Sequence, residues 1–218
     1  ISKTLESLGI DTFWVADFEE GISLRESGIK SKIIVANPGR KSFNKIIKNN
    51  LDVVLHNKNL LDFYISKNTN VKIHIKFNTG MNRYGFNLEE IELLASKLKE
   101  FSHLEMASIC SHLAAADDKS RDNFTQKQFK KFNTICNIFS EKLNINPKRH
   151  ILNTAGVFRF PEQQYEMVRL GIGLYGIGKD ANLKAVGKLV SNVAQIRILE
   201  KGEMVGYDAS FIVKQEMK

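Results

Sequence analysis

Val71-Lys72-Ile73-His74-Ile75-Lys76-Phe77, then Asn78-Thr79-Gly80-Met81-Asn82-Arg83-Tyr84-Gly85-Phe86, then Asn87-Leu88-Glu89-Glu90 is the stretch whose reading decides the fold. The first segment is an apolar, β-branched run of strand type, and the second is a glycine-containing loop. The third opens a helix expected over 87–101, with Asn87 as its cap. Glu89 and Glu90 sit at the positive end of its dipole and Lys97 and Lys99 near the negative end. Strand, loop and helix make one β-then-α unit.

The same unit recurs on both sides. Further strands are expected at Thr12–Ala16, Lys32–Ala36, Leu51–Leu55, His103–Ser111, His150–Asn153 and Met167–Leu170, most of them nearly continuously apolar, as strands covered on both faces are. Between them lie helical stretches at 19–27 (after Asp17 as cap, ending at Gly28), 42–49, 59–66 and 121–138. In the last, Phe124, Phe129, Phe132 and Ile135 recur at helical spacing and read as core. Strict alternation implies parallel βαβ units, in a doubly wound sheet or a TIM barrel. Seven strands run up to Leu170, against the eight of a TIM barrel. Ile1 is not an initiator Met and both ends look cut, so the expected architecture is α/β: a TIM (β/α)8-type barrel missing its first βα unit. After Gly178 the pattern changes to a long β-type run, 185–200, a Lys201-Gly202 turn and a second run, 204–213. The start of an antiparallel β domain is therefore expected, with residues 1–180 in the barrel and 181–218 beyond it.

Composition narrows the class. The chain has 218 residues, 43% of them hydrophobic and 26% charged, which excludes collagen-like, low-complexity and strongly disordered chains. No apolar run approaches the ~18 residues of a membrane helix. The two cysteines, Cys110 and Cys136, are too few for a disulfide framework, and a reducing, cytoplasmic setting is expected. The formal charge is +8, but the basic residues are scattered as on solvated helix faces, without a stripe interleaved with aromatics. No nucleic-acid partner is expected.

In a barrel, functional residues belong at the C-terminal ends of strands. Four segments qualify. Lys76 ends one strand, where a buried lysine is costly unless paired or modified, and the loop after it presents Arg83. His112 follows another strand, ahead of small residues. Asn153-Thr154-Ala155-Gly156 puts polar groups at a strand end where backbone N–H groups can face an anion, though Thr154 would also serve as an ordinary cap. Arg169 sits on an apolar strand before Gly171-Ile172-Gly173, matching the phosphate site late in such barrels. None of these is a metal-ligand set.

Together these segments resemble the alanine racemase family, the fold-type III pyridoxal-phosphate enzymes. The resemblance runs from Phe13–Gly28 (FWVADFEEGISLRESG) through KFNTGMNRYGF, SHLAAADD, NTAG and VRLGIGLYG to Val205-Gly206-Tyr207. It implies pyridoxal 5'-phosphate as cofactor, with Arg169 on the pyridine nitrogen. Because arginine does not give up its proton, that nitrogen would stay unprotonated and the ring would be a weaker electron sink, favouring reprotonation over transamination. Thr154, Gly171 and Ile172 would hold the phosphate, with Asn153 beside them. Arg83 would contact the phenolic oxygen of the cofactor and the substrate carboxylate. Lys76 matches a lysine the family often carries as a carbamate, and Asn78 stands where an acidic residue is common. Tyr207 would be an acid/base acting in a partner subunit, helped by His112 and Arg169, so a homodimer interconverting L-alanine and D-alanine for peptidoglycan synthesis is implied.

The lysine that holds the cofactor in this family belongs on a first strand expected before Ile1, so the 218 residues alone are expected to be inactive. Three alternatives stand beside this reading: another racemase or D-threonine aldolase on the same plan, a non-catalytic pyridoxal-phosphate barrel protein, and a basic nucleic-acid module. Some members of the family follow a cell-wall ligase domain in one chain, and nothing in these residues bears on that.

Overall fold

A computed structural model describes residues 1–178 and 182–218. They fall into two compact units, Ile1–Lys184 and Ala185–Lys218; the boundary expected at 180/181 lies outside the described residues. In the first unit, helix α1 (Ser2–Ser7) precedes six strand-and-helix repeats: β1 (Thr12–Val15), α2 (Phe18–Glu26), β2 (Lys32–Val35), α3 (Phe43–Lys48), β3 (Asp52–Leu55), α4 (Lys58–Ser66), β4 (Val71–Lys76), α5 (Ile91–Glu100), β5 (Leu104–Cys110), α6 (Asp122–Leu143), β6 (Lys148–His150) and α7 (Thr154–Arg159). The strands are all parallel and lie in sequence order, a curled half-barrel consistent with an incomplete TIM barrel.

Local chemistry starts several of the helices. Asp17 accepts the N–H groups of Glu19 and Glu20 at 3.0 and 3.1 Å, and Asn57 caps α4 on Leu60 at 2.8 Å. Asn87 and Glu90 close a capping box ahead of α5. The core lies between sheet and helices: Ile33, Val53, Ile73, Ile75 and Ile109 meet Ile46, Leu61, Leu94, Phe132 and Phe139, all essentially buried. Helix α6 extends past the expected residue 138 because Phe139 continues the buried stripe of Phe132, Ile135 and Cys136. It stops at Asn144, whose left-handed φ of 52° ends helices well.

Two expectations about strands are corrected. Met167–Leu170 is extended and donates to β6 and its continuation (Met167 N–H to Arg149 O, 3.3 Å; Arg169 N–H to Leu152 O, 3.0 Å), but it forms no ladder strand, and the sheet has six strands rather than seven. The β-type run at 185–200 is irregular except near its end, where Leu199 bridges Met217. Alternation alone makes no strand without a partner backbone. What does form in the second unit is a short antiparallel hairpin, β7 (Met204–Val205) with β8 (Phe211–Ile212). No helix among the described residues is long and apolar enough to cross a membrane.

Candidate active site

The C-terminal ends of the parallel strands surround a cavity of about 850 Å³. Lys76, Arg83, His112, Asn153, Thr154, Arg169, Gly171 and Ile172 all line it, so the segments singled out in the sequence converge on one space. Tyr207 belongs to the second unit, in a short turn where its side chain is 98% exposed.

Arg169 is the most constrained group. One terminal nitrogen donates to Nδ1 and the carbonyl of His150; the other reaches the carbonyls of Ser111 (2.5 Å) and Ile151 (3.3 Å) and Nδ1 of His112 (3.2 Å). Its guanidinium also lies over Trp14, 5.2 Å from the ring centre. Both terminal nitrogens are thus committed, and among the described residues nothing accepts from its Nε–H.

These bonds fix the histidines. A guanidinium only donates, so Nδ1 of His150 and of His112 must accept, and each neutral ring carries its proton on Nε2. His150 then donates to Ser108 Oγ (2.9 Å), Ser108 to His74 Nδ1 (2.6 Å), and His74 to Asp52 Oδ2 (3.3 Å). The buried chain runs from guanidinium to carboxylate with every donor pointing the same way. Burial, reinforced by Arg169, Lys76 and Arg83, holds the His112 pKa down at about 4. Burial pushes that of His150 well below the ordinary range as well, with Arg169 the next cause.

The opposite character marks the loop after β4. Asn78 and Phe86 pinch its base: Asn78 N–H donates to Phe86 O and Phe86 N–H to Lys76 O, both at 2.8 Å. A Cβ at Gly85 would fall 2.5 Å from the Asn78 nitrogen, so only glycine allows this closure. The Asn78 side chain accepts the N–H groups of Gly80 (3.1 Å) and Asn82 (3.0 Å), shaping the turn that leaves Arg83 exposed. Lys76 lies 5.8 Å from the Tyr84 ring centre; burial lowers its pKa, and Arg83 and Arg169 lower it further.

At the third side, the N–H groups of Gly171 and Gly173 converge on Thr154 Oγ1 at 3.1 and 3.2 Å. A Cβ on Gly173 would lie 2.6 Å from Thr154 Cγ2, so the approach needs glycine. Asn153 caps α7 through Gly156 N–H at 2.9 Å, a structural task. Trp14, Tyr84 and His150 were missed in the sequence. His150 could have been found as a histidine standing directly before the apolar pair Ile151-Leu152 at a strand end; Trp14 and Tyr84 carried no such signal.

The family described as alanine racemase, N-terminal domain, matches residues 1–179. Alanine racemase of Fusobacterium nucleatum is 35% identical over 95% of the chain and 59% of its own length; alanine racemase 2 of Clostridium acetobutylicum is 31% identical over 100% and 58%. Among solved structures, alanine racemase of Clostridium difficile 630 superposes with a TM-score of 0.78 at 25% identity, covering 99% of the chain and 59% of that structure. Alanine racemase from Bartonella henselae with covalently bound pyridoxal phosphate gives 0.79 at 27%, covering 97% and 60%. The chain thus spans about 59% of the length of the relatives it matches.

Proposed function

We infer function from one premise: the chain belongs to the alanine racemase N-terminal domain family. We propose that it forms the cofactor-holding barrel of a pyridoxal-phosphate-dependent racemase that interconverts L-alanine and D-alanine. The observation that carries this is Arg169. Its terminal nitrogens are fully bonded while its Nε–H has no acceptor among the described residues, and Arg169 lines the cavity, which suits a ring nitrogen that must accept a proton bond without being protonated. The Thr154 hydroxyl, which accepts the N–H groups of Gly171 and Gly173 and has no acceptor for its own proton among the described residues, suits an anionic phosphate, so the residues present fit the cofactor. Ile172 adds a backbone N–H to that rim.

Pyridoxal phosphate, when bound, supplies the electron sink that makes the α-proton of alanine acidic. The chain's own residues do the rest. Arg83, exposed and without a hydrogen-bonded partner among the described residues, binds the substrate carboxylate. His112, neutral with its proton on Nε2, offers that N–H to a phenolic oxygen and so favours the phenolate. Tyr207, fully exposed on its own unit, is the phenol proposed to enter a second copy's site, making the working protein a homodimer. The Lys76 amine sits among Arg83 and Arg169; combining with carbon dioxide, it would lose a proton and gain a carbamate charge that relieves this crowding. The proposed setting is the cytoplasm, in peptidoglycan synthesis.

Among the described residues Lys76 is the only lysine lining the cavity, and the 218 residues assayed alone are expected to form no D-alanine. The test is D-alanine production from L-alanine by the whole native protein loaded with pyridoxal phosphate, and again with Y207F. Turnover that falls at least a hundredfold in Y207F supports the reading. Cofactor binding without any turnover by the parent protein would instead favour a non-catalytic carrier.

A further inference from the structure

Gln128 lies on α6 with none of its surface exposed. A buried glutamine must satisfy a carbonyl and two N–H groups, and here it does so on two separate segments of the site. Its Oε1 accepts the Ala114 N–H at 3.0 Å, which fixes the orientation of the amide, because a backbone N–H only donates. Its Nε2 donates to the His112 carbonyl at 3.1 Å and to Thr79 Oγ1 at 3.2 Å. Thr79 lies 2.8 Å from Ser111 Oγ, and Ser111 spends its one proton on the Phe77 carbonyl, also at 2.8 Å. Thr79 must therefore donate to Ser111, and the chain Gln128–Thr79–Ser111–Phe77 runs without conflict. Separately, a Cβ at Gly80 would lie 3.1 Å from Phe124 and 3.6 Å from Gln128 Cγ, so the backbone of the loop after β4 rests on the same face of α6.

We propose that Gln128 is a positioning residue: its single amide ties the His112 segment and the loop that presents Arg83 to helix α6, and so sets how close His112 stands to Arg169. Gln128 itself does not line the cavity. The tie is a property of the fold, and its consequence for catalysis rests on the racemase reading. Methionine at this position fills similar volume but leaves the Ala114 N–H and the His112 carbonyl unpaired. Asparagine keeps the amide but withdraws it by one methylene. In either case the His112 ring gains water and distance from Arg169.

The experiment is an NMR titration of the His112 imidazole in the native protein without cofactor or substrate, in the parent, Q128M and F132L. Phe132 is buried on the same helix and packs on Tyr165, so F132L loosens α6 while leaving the Gln128 hydrogen bonds to both loops in place. Q128M is expected to raise the His112 midpoint from about 4 by at least one unit toward its ordinary value, and to speed exchange of the Ala114 amide at least tenfold. F132L should leave the midpoint in place despite a lower Tm. If Q128M fails to fold, Q128N is expected to shift in the same direction. An unmoved midpoint in the Gln128 variants, or an equal shift in F132L, overturns the proposal. Absence of alanine turnover in the parent would overturn the functional reading and leave this tie standing.

Discussion

Arg169 and Arg83 line one cavity under opposite constraints. Arg169 is gripped by the carbonyls of Ser111, His150 and Ile151 and by two histidine nitrogens, and the chain behind it reaches Asp52 across the inside of the sheet. Arg83 rides an exposed turn with neither a hydrogen bond nor an ion pair among the described residues. A charge whose donors are nearly all consumed can only be part of the scaffold, offering one fixed direction to whatever enters. A charge with all its donors free is available to an incoming anion. The contrast predicts that the first arginine matters for stability and geometry, and the second for ligand binding alone.

The largest effect expected from breaking this contrast is R169M. It strips the partner from buried acceptors of Ser111 and His150, and urea unfolding should show a loss of about 3 kcal/mol. A loss under 1 kcal/mol would mean that Arg169 is not the anchor described here. Lowering pH attacks the same side. With the folded pKa of His112 held at about 4 and that of His150 also held well below its ordinary value, the unfolded chain takes up protons first as pH falls below ~6.5. Stability is therefore complete above that value and is lost progressively as pH drops toward 4. His112 alone accounts for up to about 3 kcal/mol of that loss, measurable as ΔG of unfolding at stepped pH. Q128M should soften this acid sensitivity, since it lets His112 take water.

G173A probes the rim between the two arginines. Its Cβ must displace Thr154, and we expect about 1–2 kcal/mol of destabilisation, with inorganic phosphate or pyridoxal phosphate bound at least tenfold more weakly by fluorescence titration. The smallest stability effect belongs to R83A, within about 0.5 kcal/mol of the parent, while on the proposed racemase function KM for L-alanine in the loaded whole protein should rise at least tenfold. If R83A unfolds the chain, the contrast between the arginines fails.

Much of this molecule was legible before any coordinates. Apolar runs alternating with capped helical stretches specify parallel βα repeats, because both periodicities and caps such as Asp17 and Asn87 are local properties of the chain. The rule that function gathers at strand ends then sufficed to select Lys76, Arg83, His112, Asn153, Thr154, Arg169, Gly171 and Ile172. Residues 185–200 show the limit: their alternation is a strand's, yet strand formation needs a partner, and pairing is not a local property.

Sequence alone, then, determined which side chains stand at the mouth of the barrel, since chain direction and the alternation of strand and helix dictate that. Only the tertiary structure decided what each can do there. Arg169 meets Ser111 across 58 positions and Gln128 meets Thr79 across 49. The tautomers of His112 and His150 and the reach of both arginines follow from contacts of that kind. A hydrogen bond's direction and a group's loss of water depend on neighbours brought together by folding, and no pattern along the chain encodes them.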